Sequence, residues 1–363
     1  MATWNDLPSD LLISISNRLD ILSCIHFSAV CTAWSSTLRP RLPTFPRFRH
    51  DRPIPWILYG GTQKYPFIDI TKFNFYDVSK DISYRITSPI LLSSFYNTHW
   101  LGSNFGWLVF MDRKLQLHLI SPLAGAQVLL PSIKLPHGYQ GNLIDHWNTH
   151  RCYKKVIPCR VPYHGSDSNT GLFLLCLLWP QGLAVLKVGD QKWTCLDLKR
   201  MYTDAIIYQG KIYAMTTNSL QCWELKGSSF KVGKVIKIKN IMLNHLIKYI
   251  VETSGKLLMV CKKHLSNSGN AISVYEVDLD RRGQPVSPVK SLGDNAVFIG
   301  LGYSRIVSTV GLNGVQGDCI YYVCNNYNFD SGVYNLKKGT YEQFSFSYIM
   351  MDSAVWFWPC DVK

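Results

Sequence analysis

Acidic residues and long apolar runs are both scarce in this sequence of 363 residues. Asp and Glu number 24 against 38 Lys and Arg, which leaves a formal net charge of +14 at pH 7. The longest apolar run, Leu172 to Trp179, is too short for a helix that crosses a bilayer. We therefore expect no membrane partner, and a basic surface that favours acidic partners.

Paired cysteines and a secretory signal are also missing. The 11 cysteines are scattered and form no Cys-x-x-Cys pair, which is typical of reduced core residues in a protein that needs no disulfide framework. The first residues include Asp6 and Asp10 and no basic segment ahead of a long apolar run. These features predict a protein of the nucleus or the cytoplasm.

Motifs that carry catalysis are absent as well. The sequence contains no Gly-x-Ser-x-Gly elbow, no His-Glu-x-x-His helix and no set of protein-kinase motifs. Gly300-Leu301-Gly302 lacks the third glycine of a phosphate-binding loop and the helix that should follow it, so we interpret it as a turn. We expect neither enzymatic activity nor a cofactor.

The first forty residues hold three short amphipathic segments. Apolar residues recur at helical spacing from Leu11 to Leu19, with Asp6 and Ser9 as candidate caps and Pro8 in the first turn. Spacings of three and four predict two more helices between residues 21 and 38. A domain this small cannot enclose all its apolar residues without a partner, disulfides or metal. The helices therefore either dock on another protein or cap the rest of this chain.

The order of these apolar residues resembles the F-box, the module by which substrate receptors attach to a Skp-family adaptor and through it to a cullin. Trp4 comes first, then Leu7-Pro8 and the aliphatic positions of the first helix, and finally Val30-Cys31 and Trp34. The resemblance implies which residues contact the adaptor. They are Leu7, Pro8, Leu11, Leu12, Ile15, Leu19, Val30, Cys31 and Trp34.

A segment rich in proline and arginine follows the helices. Five prolines and five arginines lie between Arg39 and Pro55, and proline neither continues a helix nor pairs inside a sheet. We predict a stiff linker over 41–55, between a helical module spanning 1–40 and a second domain spanning 56–363.

Short apolar runs with a repeated glycine characterise the rest of the chain. Four stretches share a glycine, a strand of large side chains, a polar gap and a second strand, and further units lie over 57–86 and 171–198. About six units of roughly fifty residues match four-stranded propeller blades. The sequence predicts an all-β propeller of about six blades closed by Ala354–Trp358, with two stacked β-sandwiches as the alternative. The leading glycines are Gly106, Gly210, Gly255 and Gly317.

Three strings within these units extend the resemblance. GSNFGWL (102–108), LISPLAG (119–125) and GDCIYYV (317–323) are similar to a plant F-box family whose C-terminal part is a kelch-like β-propeller. The resemblance implies a substrate-recognition subunit of a Skp-cullin-F-box ubiquitin ligase that binds a client protein. The alternatives are a propeller enzyme or small-ligand binder with a helical cap, and a degenerate member that acts only as a scaffold.

One interval of the chain contains many lysines and no carboxylate. No acidic residue lies between Glu224 and Glu252, and strand alternation places Lys237 and Lys239 on one face. Lys234, Lys237 and Lys239 form a candidate patch for an acidic client, with a solvated outer face as the alternative. Too few aromatic residues lie between the lysines to favour nucleic acid.

A group of histidines and cysteines could be read as a zinc site. His146 and His150 have the spacing of ligands on a helix, but the residues between them do not favour a helix, and Cys152 and Cys159 lack knuckle spacing. We interpret the stretch as a polar loop between blades and predict no metal. Its members are His137, His146, His150, Cys152, Cys159 and His164.

Overall fold

A computed structural model gives the structure of most of the chain. The residues it describes are 7–19, 21–38, 54–59, 72–87, 99–112, 116–133, 153–160, 172–178, 180–226, 229–238, 246–263, 272–281, 285–323, 331–344 and 354–359.

Three short helices come first, as predicted: α1 (Ser9–Ser16), α2 (Ile21–Ser28) and α3 (Thr32–Leu38). The predicted cap at Ser9 is wrong, because Pro8 occupies the N-cap position and no side chain caps the helix. α1 also ends earlier than the apolar pattern indicates. The N–H groups of Arg18 and Leu19 bond to carbonyls only three residues back, which tightens the last turn and ends the α-helix.

Twenty-five strands follow within the described residues. They are β1 (Trp56–Tyr59), β2 (Lys72–Asp77), β3 (Ile82–Thr87), β4 (His99–Asn104), β5 (Trp107–Met111), β6 (Leu117–Ser121), β7 (Ala126–Leu130), β8 (Tyr153–Arg160), β9 (Leu172–Leu178), β10 (Leu183–Lys187), β11 (Thr194–Asp197), β12 (Asp204–Tyr208), β13 (Lys211–Met215), β14 (Ser219–Lys226), β15 (Ser229–Lys237), β16 (Leu246–Thr253), β17 (Lys256–Lys263), β18 (Ile272–Val277), β19 (Val286–Val289), β20 (Asn295–Ile299), β21 (Arg305–Ser308), β22 (Cys319–Tyr322), β23 (Gly332–Asn335), β24 (Thr340–Gln343) and β25 (Ala354–Phe357).

The described strands form six blades, which confirms the predicted propeller. Blade 1 has the order β25-β1-β2-β3, and blades 2, 3 and 4 are β4 to β7, β8 to β11 and β12 to β15. Blade 5 is β16 to β19, and blade 6 contains β20, β22, β23 and β24. β21 pairs with both β20 and β16, so blades 5 and 6 share one continuous sheet.

The two ends of the propeller meet in blade 1. β25 pairs antiparallel with β1, with Trp356 opposite Ile57 and Val355 opposite Leu58, which confirms the predicted closing strand. The inner strands β25, β4, β8, β12 and β16 are neighbours in that order around the hub, the space that they enclose. Closure matters because it packs blade 1 against blade 6, so that neither end of the row leaves an uncovered apolar face.

The repeated glycine marks the turn between the first and second strands of a blade. Phe105 and Gly106 both have positive φ, at 52° and 73°, and so do Gln209 and Gly210, at 48° and 72°. Two successive residues with positive φ are what a tight type I′ hairpin turn requires. Gly255 in blade 5 also has positive φ, whereas at Gly317 it is the next residue, Asp318, that has positive φ. The sequence pattern therefore detected a backbone requirement that three blades share.

Residues 300–305, which follow β20 and include the first residue of β21, cross the hub. Tyr303 donates its N–H to the carbonyl of Ser103 in blade 2 at 3.1 Å. The backbone of Arg305 pairs with the backbone of Glu252 on β16 of blade 5. Gly302 has φ +108°, and a Cβ there would lie 2.9 Å from backbone atoms of Ser103. The sequence predicts only a turn here, because a local glycine pattern carries no information about contacts across a ring. We call residues 300–305 the crossing segment.

A substitution at Gly102 on β4 tests how tightly the inner strands pack. A Cβ at this position would overlap the backbone oxygen of Val156 on β8. We expect Gly102→Ala to lower the free energy of unfolding by about 1 to 3 kcal/mol, because neither backbone can move freely. Urea denaturation followed by tryptophan fluorescence measures the change.

Gly233→Ala on β15 is the matched control, because its added Cβ would meet its neighbours only at 3.6 Å, an ordinary contact. We expect a change within about 1 kcal/mol. Equal effects of the two substitutions would contradict the proposed tight approach of β4 and β8.

Candidate functional site

The interior of the helical module contains two of the residues predicted to contact an adaptor. Leu12 and Trp34 are both buried within the chain, and the ring centroids of Trp34 and Phe27 lie 4.5 Å apart. The buried Cys24 thiol donates to the carbonyl of Ser16, which ties α2 to α1. Leu12 and Trp34 therefore hold the three helices together and are not available on the surface.

A different subset of the predicted residues is exposed. Leu11 is 54% exposed and Ile15 is 39% exposed, and Val30 between α2 and α3 is also exposed. Pro8, Leu11 and Ile15 follow one another at intervals of three and four, so they line one side of α1. We call these three residues the α1 stripe. Leu7, Leu19 and Cys31 are half-buried against the module interior.

The buried side of the module belongs to a hydrophobic cluster that extends into the propeller. Sequence reasoning left docking and capping as alternatives. The structure shows that the three helices cap the propeller with one side, and docking on the other side stays a prediction. The inner side joins blades 1 and 2, and the α1 stripe faces solvent. The cluster includes Leu12, Cys24, Trp34 and Leu38 of the helices with Trp56, Phe73, Trp100 and Phe110 of the blades.

The three lysines of the predicted patch do not share one environment in the structure. Lys234 and Lys237 lie on β15, the outer strand of blade 4, whereas Lys239 lies outside the described residues. The Lys234 ammonium donates to the carbonyl of Leu279 in blade 5 at 2.5 Å, so this lysine links two blades. Lys237 is exposed. Whether any of these lysines binds a client stays a prediction.

Sequence reasoning missed the apolar residues on the same strand. Val232 is 63% exposed and Val235 is 45% exposed, and both lie between the lysines of β15. The sequence does show valines that interrupt a basic run. Whether a side chain on an outer strand is buried depends on the neighbouring blade, however, so the exposure of these valines cannot be predicted from the local sequence.

A buried ion pair joins the inner strands of blades 3, 4 and 5. The Lys155 ammonium donates to Asp204 at 2.7 Å, and the other carboxylate oxygen of Asp204 accepts the N–H of Ile250 at 3.0 Å. Lys155 also lies 5.5 Å from the centre of the Tyr249 ring. Burial lowers the pKa of the adjacent Lys154, since removal from water disfavours its charged form. Lys155 and Asp204 thus find their bonding partners inside the protein.

Arg305 anchors the crossing segment at the hub. Its guanidinium donates to Asn104 Oδ1 at 2.6 Å and lies 5.0, 5.4 and 4.9 Å from the ring centres of Phe105, Tyr303 and Trp358. Burial raises the pKa of the Tyr303 phenol well above its ordinary value. The contacts of Arg305 therefore join blades 1, 2 and 6 across the hub.

The stretch of histidines and cysteines considered as a zinc site lies largely outside the described residues, which include only Cys159. Cys159 is buried in β8, and burial raises the pKa of its thiol. Within the described ranges, no group of three or more His, Cys, Asp and Glu residues could hold a metal ion. None of the described helices combines the length and apolarity that crossing a membrane would require.

Comparison with known families assigns both parts of the chain. The family model described as KIB1-4 beta-propeller matches residues 75–335, and the F-box domain model matches residues 4–43. This chain belongs to the KIB1-4 beta-propeller family. Family members that carry an F-box are non-catalytic substrate receptors, and F-box domains in general bind a Skp1-type adaptor and so a cullin.

Related proteins share this organisation over nearly their whole length. The Arabidopsis thaliana F-box protein At4g22660 is 22% identical over 98% of this KIB1-4 chain and 97% of its own. F-box only protein 7 of Arabidopsis thaliana is 23% identical over 98% of this chain and 94% of its own. Among solved structures, YCF48 bound to D1 peptide covers 83% of this chain and 94% of that chain, with a TM-score of 0.34 and 12% identity.

Neighbouring leucines on α1 separate the structural and surface roles of the F-box. Leu12 is buried and Leu11 is exposed. We expect Leu12→Ala to lower the stability of the helical module by about 2 to 5 kcal/mol because it leaves a cavity. Leu11→Ala should change the stability by no more than about 0.5 kcal/mol. Hydrogen exchange at the amides of α1 and α3 measures both effects, and equal protection in the two variants would contradict the assignment.

Arg305 provides a test of the hub. We expect Arg305→Met to cost about 2 to 4 kcal/mol, because it removes a charged hydrogen bond and the attraction of the cation to three rings. Arg85→Met is the matched control, since Arg85 also donates to an asparagine, Asn74, but is exposed. It should cost about 0.5 kcal/mol or less. Thermal unfolding compares the two, and a small loss for Arg305→Met would mean that the crossing segment is held without it.

Proposed function

We propose that this KIB1-4 propeller protein is the client-recognition subunit of a Skp-cullin-F-box ubiquitin ligase. The observation that carries the proposal is the α1 stripe, an apolar surface left exposed on a helix within the matched F-box domain. A Skp-family adaptor covers this stripe, and the cullin binds through the adaptor. The propeller holds the client on the other side of the assembly.

The mechanism is proximity. An adaptor that places the receptor on the cullin brings the bound client close to the charged ubiquitin carrier, and this raises the effective concentration of the client lysines. The chain itself contributes no chemical step. Its two surfaces need only be held at a fixed separation, which the shared hydrophobic cluster of module and blades provides.

The exposed residues can supply useful binding energy. Burial of Leu11 and Ile15 in an adaptor groove is worth about 1.5 to 3 kcal/mol for each side chain. Part of this gain offsets the loss of translational and rotational freedom on association. Leu7, Leu19 and Cys31, which are half-buried, would extend the contact at its margins.

The receptor would act in the nucleus or the cytoplasm. The eight cysteines of the described part of the chain are free thiols, which suits a reducing compartment. The client itself binds on the outside of the propeller, since the crossing segment and Arg305 lie across the hub.

The double substitution Leu11→Asp with Ile15→Asp tests the adaptor surface. We expect loss of the complex with a recombinant Skp1-type adaptor, since two carboxylates would be buried without partners. Size-exclusion co-elution and calorimetry measure the complex, with affinity falling by at least about a hundredfold. Far-ultraviolet circular dichroism of the free variant should be unchanged, because both positions are exposed.

Leu129→Asp is the control, since Leu129 is an exposed leucine on the outer strand of blade 2. It should leave adaptor binding intact. Full affinity in the double α1 variant would refute the proposal. Charged substitutions of Trp34 do not serve this purpose, because that side chain is part of the module interior.

A further inference from the structure

The outer strand of blade 4 differs from the outer strands of the other five blades in its length. β15 has 9 residues. The corresponding strands have 6 in β3, 5 in β7, and 4 in each of β11, β19 and β24. Very short outer strands protect a protein from unwanted pairing at exposed sheet edges. Blade 4 lacks this protection, and no other described strand pairs with the outer edge of β15.

The exposed valines of β15 lie on one face of the sheet. Val232 is opposite Trp223 and Val235 is opposite Gln221. A bulge between these two pairs inserts one extra residue, which brings the two valines to the same side. Trp223 is buried in the cluster between blades 3 and 4. The valines therefore flank the outer margin of the gap between these blades, where the neighbouring blade no longer covers them.

Lysines without carboxylate partners accompany the valines. Lys231 and Lys237 are exposed, and neither forms an ion pair within the described residues. Glu224 lies opposite Lys231 in the strand pair, and its carboxylate forms an ion pair with Lys211 at 2.7 Å. The sequence from 225 to 251 contains no acidic residue. The strand therefore combines an apolar surface with two lysines that form no ion pair within the described residues.

These charges decide which kind of chain fits. A second copy of β15 paired edge to edge would bring lysines close to lysines, and like charges across a strand pair are destabilising. Lys237 lies opposite Ser219 and therefore on the face of the two valines, whereas Lys231 lies opposite Glu224 on the other face. The segment that fits has apolar side chains that cover the valines, and acidic side chains that reach Lys237 on the same face and Lys231 on the other. Main-chain hydrogen bonds to the free edge would add affinity, as in other cases of strand addition.

We propose that β15 binds an extended acidic segment of the client, with apolar residues at alternate positions, as a fifth strand of blade 4. This assigns a chemical class to the client and so rests on the function proposed above. Peptide binding to β15 is nevertheless measurable without any adaptor.

The probe is a synthetic Glu-Val peptide of seven residues with blocked ends, Glu-Val-Glu-Val-Glu-Glu-Glu. Its second, fourth and sixth side chains match Val232, Val235 and Lys237 on one face, and its other Glu side chains face the side of Lys231. Fluorescence anisotropy of the labelled peptide with the full chain measures its dissociation constant. We expect the double variant Lys231→Glu with Lys237→Glu to bind at least about tenfold more weakly. The variant should also gain affinity for the equivalent Lys-Val peptide, because the charges at the edge are then reversed.

Two controls separate strand addition from general attraction to a basic protein. The double variant Lys187→Glu with Lys290→Glu changes the net charge equally at exposed lysines outside β15, and its affinity for the Glu-Val peptide should equal that of the native chain. A Glu-Val peptide with a central proline should bind at least about tenfold more weakly, because proline lacks the N–H that strand pairing needs. Val232→Ser with Val235→Ser should weaken binding without altering charge.

Several outcomes would overturn the inference. These are equal binding of the proline peptide, equal losses in the two charge-reversal variants, or no binding to the native chain. Self-association of the native chain that Val232→Ser with Val235→Ser abolishes would identify a second copy as the occupant instead. Adaptor binding measured on the same preparations distinguishes these failures from failure of the receptor function, because the α1 stripe remains unchanged in every β15 variant.

Discussion

The pairing of β25 with β1 is the constraint on which the rest of the structure depends. It joins residues from the two ends of the propeller, with Trp356 opposite Ile57, and turns a row of six sheets into a closed ring. Closure places the start of the propeller beside the N-terminal helices, so that one hydrophobic cluster extends through the helices and blades 1 and 2. The F-box is therefore connected to the propeller by packing as well as by the chain.

A closed ring also needs its centre filled or hydrated. In this protein the crossing segment runs across the hub, and Arg305 holds it through Asn104 and three aromatic rings. The buried Lys155–Asp204 pair links the neighbouring inner strands. These contacts are internal, whereas the proposed binding needs the outer surface. The two apolar surfaces that matter for the proposed function, the α1 stripe and β15, both lie there.

Much of the architecture could be predicted from local patterns. The glycines at 106, 210 and 255 mark turns that need positive φ, so a backbone requirement shared by three blades is visible as a repeat in the sequence. The apolar runs are nearly continuous because inner strands such as β12 are buried on both faces. The adaptor surface was harder to predict. Leu11 and Leu12 look equivalent in the pattern, yet only Leu12 lies in the interior.

The sequence by itself determined the helical module, the blade repeat, the closing strand and the basic character of the chain, because each depends on periodicity, composition or a local turn. Only the tertiary structure decided which apolar residues of the F-box face solvent, that residues 300–305 cross the hub, and that Val232 and Val235 remain exposed between lysines. These features depend on contacts between residues far apart in the chain, as the 103–303 and 104–305 pairs show. Such contacts leave no periodic signal in the sequence, since they are fixed when the ring closes.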